Sequence, residues 1–404
     1  MTSSPTPAQT WLDLPADTGF GLANLPYGVY STPGTGPRTG VAIGDRVLDL
    51  AAATGDDVHA TGTLNAFMAR GPRSWTALRA QLTDWFTDPV HRGAIEPHLV
   101  PRGQVTMHLP IEVADYVDFY SSQHHAENLG RMFRPDSAAL TPNWKHLPIG
   151  YHGRAGTVQV SGTSVVRPCG QRKAPTDDAP TFGPSQRLDI EAEVGFVVGV
   201  GSDLGTAVPV GRFTEHVFGV CLVNDWSARD LQSWEYVPLG PFLGKSFLTS
   251  VAPWVVPLPA LEAARVTPPP RDVALLPYLD DSDQPWGLDI RMEIRLNGEL
   301  ISCPPFADMY WTPAQQLAHM TVNGASLRTG DLYASGTVSG PGEDQRGSFI
   351  ELSWGGKEPL TLADGTTRTF LDDGDVVTIT ATAPGADGTR MAFGEVTGRI
   401  EPAR

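Results

Sequence analysis

The sequence predicts a mainly β protein, a β-rich α+β fold, from the distribution of its turn-forming residues and the shortness of its periodic segments. Its 404 residues include 43 glycines and 36 prolines, which are spread along the chain between short stretches of alternating apolar and polar residues. This pattern is typical of many short strands joined by turns, and few stretches have the spacing of a long helix. At roughly 100 to 200 residues per domain, the length predicts two or three domains.

The first hundred residues predict a small β-rich domain with short helices. Apolar residues within 41–43 and 47–50 flank Gly44 and Asp45, which predicts two strands joined by a tight turn. Ser74 precedes a helical spacing of apolar residues, namely Leu78, Leu82 and Trp85. We therefore expect a hairpin and one helix in this part of the chain.

A domain boundary is expected near Leu109. The periodicity lapses between Pro101 and Pro110, two residues that interrupt regular structure. The boundary divides the chain into residues 1–109 and 110–404.

The second part predicts longer strands and one clear helix. Apolar residues alternate over 188–198 and again over 288–296, which predicts two strands that belong to a large sheet system. Residues 312–322 predict a helix with Pro313 in its first turn. This part should therefore contain the main sheet.

The charge and composition exclude several classes of protein. The 45 acidic and 29 basic side chains give a net charge of −16, which repels nucleic acids and anionic lipids, and no run of Lys and Arg provides a basic patch. The longest apolar stretch, 217–223, is far shorter than the roughly 20 residues of a membrane helix. The three cysteines lie far apart, so their spacing forms no redox pair or zinc knuckle. We expect a cytoplasmic protein with no nucleic-acid or membrane partner.

One face of the strand predicted over 188–198 carries three carboxylates, those of Asp189, Glu191 and Glu193. A solvated face would explain them without any special function. Val197 lies on the same face, however, and favours a buried sheet in which neighbouring like charges need a cation. Both interpretations stay open from the residues alone.

Two further acids follow or lie within apolar segments. Asp225 comes just after the stretch 217–223, either as a ligand at a strand end or in an Asn-Asp turn. Asp118 lies in a short aromatic segment, 115–120. An all-oxygen set of this kind suits Ca²⁺ or Mg²⁺ rather than zinc. The candidate set is Asp118, Glu191, Glu193 and Asp225.

Candidates for acid–base chemistry and for anion binding lie in two other segments. His124 and His125 follow Asp118 within seven residues. A histidine oriented by a carboxylate can take a proton from water, although the sequence does not identify that carboxylate. Beyond Asp225, a group of donors suits an anionic intermediate, and an ordinary surface loop is the alternative. The donors are Arg229, Gln232, Tyr236 and Lys245.

A series of ordered motifs extends along essentially the whole chain. The motifs are Asn24–Val29, Gly40–Gly44, Asp118–Ser122 with His125, Pro142–Trp144, Gly150–Arg154, Asn224–Asp230, Trp234–Phe247, Ala334–Thr337 and Glu351–Trp354. Their length and order resemble those of the fumarylacetoacetase family. The resemblance implies a small N-terminal SH3-like barrel, a larger fumarylacetoacetase-type β-fold catalytic domain and a homodimer. It also implies hydrolysis of a carbon–carbon bond of 4-fumarylacetoacetate, a diketo acid, to fumarate and acetoacetate, the last step of tyrosine and phenylalanine catabolism.

The resemblance also assigns roles to residues. The implied Ca²⁺ ligands are Asp118, Glu191, Glu193 and Asp225. A second cation site, for Mg²⁺, is implied at Lys245 and Thr249, although Leu248 stands where the family has glycine. The implied catalytic residues are His125 with its partner Glu351, and the oxyanion donors Arg229, Gln232 and Lys245. The implied substrate-binding residues are Tyr120, Arg134, Tyr151, Gln232, Tyr236 and Thr337.

Two alternatives to this activity stay open. A related acylpyruvate or diketone hydrolase, or an oxo-acid decarboxylase, would share the acidic site. Such relatives usually lack the first domain, so the match over residues 24–44 counts against them. The second alternative is a calcium-binding module without turnover, in which His125 and the donors within 229–245 would have no function.

Overall fold

Sheets dominate the computed structural model, which describes residues 9–15, 17–386 and 388–404. The strands are β1 (Tyr27–Ser31), β2 (Arg38–Ile43), β3 (Arg46–Asp49), β4 (Leu99–Pro101), β5 (Thr106–His108), β6 (Tyr116–Phe119), β7 (Gly150–His152), β8 (Val158–Val160), β9 (Val165–Val166), β10 (Cys169–Arg172), β11 (Thr181–Pro184), β12 (Leu188–Asp189), β13 (Ala192–Val198), β14 (Val217–Asp225), β15 (Ser227–Ala228), β16 (Thr249–Val251), β17 (Trp254–Pro257), β18 (Arg265–Val266), β19 (Gly287–Leu288), β20 (Arg291–Leu296), β21 (Glu299–Ser302), β22 (Leu332–Ala334), β23 (Leu360–Thr361), β24 (Thr367–Arg368), β25 (Val376–Pro384) and β26 (Arg390–Glu401). The α-helices are α1 (Leu50–Thr54), α2 (Asn65–Met68), α3 (Pro72–Thr87), α4 (Arg92–Ile95), α5 (Gln123–Phe133), α6 (Phe213–His216), α7 (Arg229–Glu235), α8 (Pro313–Thr321) and α9 (Phe349–Leu352). The predicted sheet-rich α+β class is confirmed.

One sheet runs through both halves of the chain. Its order is β4-β3-β2-β1-β17-β14-β13-β22-β6-β7, and β5, β8 and β16 pair outside this path. The first half joins the second where β1 pairs antiparallel with β17, with Tyr27 opposite Val255. The pairing order of the described strands does not close on itself, so the SH3-like barrel stays a prediction. A second sheet has the order β21-β20-β25-β26-β9.

The acidic strand face is buried, as Val197 suggested. Both faces of β13 are fully covered: Phe196 packs in the main apolar core and Val197 packs in a second core on the opposite face. The single strand predicted over 188–198 is wrong, however, because β12 ends at Asp189 and β13 begins at Ala192. The chain changes partner at this point, since β12 pairs with β15 and β13 pairs with β14.

The second predicted strand is also divided, whereas the predicted hairpin forms. The alternation over 288–296 is divided between β19 and β20, and β20 lies in the five-stranded sheet rather than beside β13. The two predicted strands therefore lie in two different sheets. The hairpin around Gly44 is confirmed, because β2 and β3 pair antiparallel with Ile43 opposite Arg46.

The two predicted helices form. α3 begins at Pro72, two residues before the predicted start at Ser74, and buries its apolar side against the second core. α8 begins at Pro313, and the side chain of Thr312 accepts a hydrogen bond from the Gln315 N–H while the Gln315 side chain bonds back to the Thr312 backbone. None of the helices in the described ranges is long and apolar enough to cross a membrane.

Candidate active site

Three of the predicted acidic ligands meet at one edge of the large sheet. Asp118 lies on β6, Glu191 lies between β12 and β13, and Asp225 ends β14. All three are buried, and one carboxylate oxygen from each lies within 4.8 Å of the others. Neighbouring strands therefore bring together acids that are separated by up to about a hundred residues of sequence.

Glu193, on β13, is the fourth predicted ligand and is fully buried. Its Oε2 accepts a hydrogen bond from the N–H of Gly336 at 3.1 Å, and its Oε1 has no partner among the residues that the structure describes. Gly336 has φ of +77°, and a Cβ there would lie 2.1 Å from the carbonyl oxygen of Phe119, so this close approach requires glycine. Burial, together with the charges of Asp118 and Asp225, raises the pKa of Glu193 well above its usual value.

Two predicted cations pair with these acids. The ammonium of Lys245 donates to Asp225 Oδ2 at 2.7 Å and also to Glu191. Arg229 donates from Nε to Asp189 and from Nη1 to Glu191, both at 2.7 Å. Burial alone would raise the pKa of Glu191, but the charges of Lys245 and Arg229 outweigh it and lower that pKa far below its usual value. Asp189 thus anchors Arg229 and belongs to the same buried group through it, although it lies outside the cluster of Asp118, Glu191 and Asp225.

The sequence did not single out the third cation, Arg154. Its guanidinium donates to Asp118 Oδ2 at 2.7 Å and also contacts Asp225. The available signal was its place at the end of the motif Gly150–Arg154, next to the implied substrate residue Tyr151. Burial raises the pKa of Asp118 to about 6, although the charge of Arg154 opposes the rise.

The charges of this buried group fit a divalent cation. Five buried carboxylates stand against three buried cationic side chains, so full ionisation leaves two negative charges. An unpaired oxygen on Glu193 and an all-oxygen donor set suit a hard cation such as Ca²⁺ or Mg²⁺. The carboxylates are Asp118, Asp189, Glu191, Glu193 and Asp225, and the cationic side chains are Arg154, Arg229 and Lys245. The buried acids could therefore hold a metal ion.

Thr249 and Lys245, the implied second cation site, lie on either side of Asp225. The Thr249 hydroxyl donates to Asp225 Oδ1 at 2.7 Å. Burial alone would lower the pKa of Lys245, but the charges of Asp225 and Glu191 outweigh it and raise that pKa. A protonated amine has no lone pair for a metal, so the side chain of Lys245 acts here through its charge.

His125 and Glu351 form a buried pair. α5 is capped by Ser122, whose hydroxyl accepts the N–H of His125 at 3.2 Å, and this places the imidazole in the first turn. Its Nδ1 lies 2.7 Å from Glu351 Oε2. Burial alone would raise the pKa of Glu351, but His125 and further hydrogen bonds outweigh it and lower that pKa. The further donors are Asn128, Ser339 and Ser348.

Two predicted substrate residues contact this pair or the acids, and a third is buried. The rings of Tyr120 and His125 meet edge to face at a centroid distance of 5.3 Å. The hydroxyl of Tyr151 donates to Asp118 Oδ2 at 2.9 Å. Thr337 is buried, and its hydroxyl has no partner within the described residues.

The other predicted substrate residues lie nearer the surface. Gln232 is half-buried, and its Oε1 accepts a hydrogen bond from Arg229 at 3.2 Å. Arg134 is exposed and donates to the carbonyl of Ala139, and the Tyr236 side chain is 54% exposed. Among the described residues, none of these three side chains forms a hydrogen bond to the buried acids.

Family models match both parts of the chain. The model described as the fumarylacetoacetase N-terminal domain matches residues 23–110, and the model described as the fumarylacetoacetate (FAA) hydrolase C-terminal domain matches residues 115–400. Among solved structures, a fumarylacetoacetate hydrolase from Exiguobacterium antarcticum is similar with a TM-score of 0.56 and 18% identity, covering 94% of this chain and 100% of that one. A maleylpyruvate hydrolase from Sphingobium sp. SYK-6 is similar with a TM-score of 0.52 and 17% identity, covering 94% and 100%. At such identities the structures support the fold alone.

Curated relatives are much more similar in sequence. Human fumarylacetoacetase is 48% identical over 98% of this chain and 99% of its own length. The fumarylacetoacetase of Arabidopsis thaliana is 44% identical over 98% of this chain and 99% of its own length. Both comparisons extend across the two matched domains and the buried site. The chain therefore belongs to the fumarylacetoacetase family.

Proposed function

We propose that this chain hydrolyses a carbon–carbon bond of 4-fumarylacetoacetate, giving fumarate and acetoacetate. The observation that carries the proposal is the His125–Glu351 pair beside a buried acidic group of net negative charge. The chain is 44–48% identical to fumarylacetoacetases over 98% of its length, and this similarity supports the same substrate. A diketone is cleaved when water adds to one carbonyl and the second carbonyl accepts the electron pair of the broken bond.

We propose a cation site for each of two divalent ions. The oxygens of Asp118, Glu191, Glu193 and Asp225 would hold Ca²⁺, and the region of Lys245 and Thr249 would hold Mg²⁺ next to Asp225. The charge of the buried group and the free oxygen of Glu193 support the first site. A cation bound there supplies Lewis-acid polarisation of the substrate carbonyl oxygens.

His125 acts as the general base. The carboxylate of Glu351 accepts a hydrogen bond from Nδ1–H of His125 at 2.7 Å, which leaves the lone pair on Nε2 to take a proton from water. The hydroxide equivalent forms a bond to the ketone carbon of the fumaryl part. The alkoxide then re-forms a C=O bond while the C–C bond breaks, and the electron pair of that bond leaves with the acetoacetyl carbon. The imidazolium of His125 returns its proton to this carbon, which restores the base, and the new carboxylic acid of fumarate releases the other proton of the water. A positioned general base of this kind contributes roughly 10²- to 10⁴-fold to the rate.

Arg229, Gln232 and Lys245 stabilise the alkoxide that forms when water adds. Arg229 is buried, and its Nη2 has no partner in the part of the chain that the structure describes, so a donor is free for an oxyanion. Gln232 accepts from the same guanidinium, which leaves its amide N–H group free to donate to the substrate. Removing one such donor would lower kcat on the order of 10²- to 10³-fold.

The substrate residues fall into a buried and an exposed set. The unpaired hydroxyl of Thr337 and the rings of Tyr120 and Tyr151 would contact the reacting part of the substrate. Arg134 and Tyr236 are exposed and would meet a terminal carboxylate of the substrate at the entrance. The substrate would thus be held at both ends.

Loss of fumarylacetoacetate, followed by its ultraviolet absorbance, tests the proposed activity. We expect turnover by the purified chain, its loss after divalent ions are chelated, and its return when Ca²⁺ is added. Parallel assays with an acylpyruvate separate the related hydrolases, and a kcat/KM higher for the acylpyruvate would contradict the proposal. Ca²⁺ binding without any turnover would instead favour the calcium-binding module.

The proposal extends to the organisation of the chain. We expect a boundary near Leu109 between an SH3-like barrel domain, residues 1–109, and a catalytic domain, residues 110–404. The two family models, which meet between residues 110 and 115, support it.

We also propose a cytoplasmic homodimer, and the apolar residues exposed in one loop support an interface there. These residues are Tyr236, Val237, Leu239, Phe242 and Leu243. Light scattering that gave the mass of a single 43.3 kDa chain would contradict the dimer.

A further inference from the structure

The guanidinium of Arg154 joins two of the acids. Nη2 donates to Asp118 Oδ2 at 2.7 Å and also to Asp225 Oδ2, while Nε donates to Asp225 Oδ1 at 3.3 Å. Its side chain is 4% exposed, so water does not compete for these bonds. One planar fork therefore connects the carboxylate on β6 to the carboxylate at the end of β14.

Two aromatic rings confine the same guanidinium. Its Cζ lies 4.8 Å from the centre of the Tyr116 ring and 5.3 Å from the centre of the Tyr151 ring. Stacking of this kind suits Arg, whose flat and weakly hydrated head packs on ring faces, better than Lys. Tyr151 also donates to Asp118 Oδ2 at 2.9 Å, so the ring and the acid are held together.

The backbone of Arg154 is in an unusual conformation. Its φ of 56° and ψ of 22° lie in the left-handed region, which residues with a side chain seldom occupy. The N–H and the hydroxyl of Thr157 both donate to the carbonyl of Arg154, which holds that conformation. Backbone strain of this kind persists where the surroundings over-determine it and often lies at functional sites.

We propose that Arg154 is the positioning residue of the cation site: it fixes Asp118 and Asp225 at the separation that one divalent cation requires. Arg154 is not a ligand, because a guanidinium has no lone pair to offer. The inference deepens the proposed function and rests on its cation site. Residues that orient metal ligands in this way typically change metal affinity by 10- to 100-fold when they are replaced.

A simple role in charge balance makes the opposite prediction. A positive charge beside the ligands repels an incoming cation, so its removal alone would tighten cation binding. The two roles are therefore distinguished by the direction of the change. Lysine keeps the charge but lacks the planar fork and the ring stacking, so Arg154→Lys separates charge from geometry.

Calorimetric titration of chelator-treated full-length protein with Ca²⁺ tests the inference. We expect Arg154→Met and Arg154→Lys each to weaken Ca²⁺ binding at least 10-fold relative to the wild type. Arg167 provides a matched control, because it is a buried Arg that contacts Asp373 and two backbone carbonyls but none of the acids. Arg167→Lys should leave Ca²⁺ affinity within about two-fold, and thermal unfolding of each variant checks the fold.

Each other outcome has a distinct meaning. Tighter binding by Arg154→Met, wild-type affinity in Arg154→Lys, or loss of the fold in both variants would overturn the positioning role. A wild-type chain that bound no Ca²⁺ would contradict the proposed function instead. Wild-type binding and turnover together with unchanged affinity in both variants would contradict only the inference about Arg154.

Discussion

Replacing Glu351 by glutamine removes a charge from the proposed catalytic pair, His125 and Glu351, and keeps the hydrogen bond between them. Glu351 Oε2 accepts hydrogen bonds from His125 at 2.7 Å, Ser339 at 2.9 Å and Ser348 at 2.7 Å. A glutamine whose oxygen takes this position keeps all three bonds. Its NH₂ group then faces the amide of Asn128, which donates to Oε1 at 2.9 Å and can rotate to present its oxygen instead. The substitution therefore tests the carboxylate charge alone.

The expected loss follows from the strength of that hydrogen bond. A hydrogen bond to a charged group contributes roughly 1.5–3 kcal/mol and one between neutral groups roughly 0.5–1.5 kcal/mol, so the difference is about 1–2 kcal/mol. At about 1.4 kcal/mol per factor of ten, Glu351→Gln should lower kcat roughly 5- to 30-fold. Glu351→Ala leaves the donors from His125, Ser339 and Ser348 without an acceptor and frees the ring. Its kcat should fall by the full general-base contribution, roughly 10²- to 10⁴-fold.

Initial rates of fumarylacetoacetate loss at saturating Ca²⁺ measure both effects. Ca²⁺ affinity is the control, since no hydrogen bond or ion pair joins Glu351 to the acidic group in the described ranges, and it should not change. Thermal unfolding excludes a loss of structure. If Glu351→Gln turned over at the wild-type rate, the carboxylate charge would not assist His125. If Glu351→Ala did so, the pair would have no part in the reaction.

Three further predictions concern the proposed site residues, the protonation of Asp118 and the cap of helix α8. His125→Ala should abolish turnover with Ca²⁺ affinity unchanged, whereas Asp225→Ala should weaken both; wild-type turnover in the first or intact affinity in the second would contradict the assigned roles. Because the pKa of Asp118 is raised to about 6, a proton occupies this acid below that pH and the cation must displace it, so Ca²⁺ titrations should give a larger Kd at pH 5.5 than at pH 7.5, and equal values would refute this. Thr312→Ala removes the cap of α8 and the hydrogen bond of 2.8 Å to Asp281, so it should lower the free energy of unfolding in urea by about 1–2 kcal/mol, and an unchanged midpoint would contradict it.

Much of the acidic site could be predicted because strand periodicity reports which side chains share a face. Glu191 and Glu193 alternate with apolar residues, and Val197 on the same side indicated burial. The structure also shows that β13 is tightly packed, because a Cβ at Gly195 would lie 2.8 Å from the Val223 side chain. Local spacing was sufficient here because the face of the sheet on which a side chain lies follows from its position along its own strand.

Partners from distant segments could not be predicted in this way. Glu351 meets His125 across 226 residues of sequence, and Arg154 reaches Asp225 from a loop. Neither pairing leaves a periodic signal. The break after Asp189 was missed for a related reason, because the change of strand partner at that point leaves the apolar alternation intact.

The excess of buried acids connects cation binding to folding. Without a cation, the folded chain buries more carboxylates than cationic side chains, and burial raises the pKa values of Asp118 and Glu193. A divalent cation bound here would replace the protons that these acids otherwise take up, and it would bind the folded chain alone because the acids come from separate strands. At a concentration 100 times its Kd, such a ligand stabilises the fold by about 2.7 kcal/mol. The site proposed for cleavage would therefore also make the stability of the sheet depend on a bound ion.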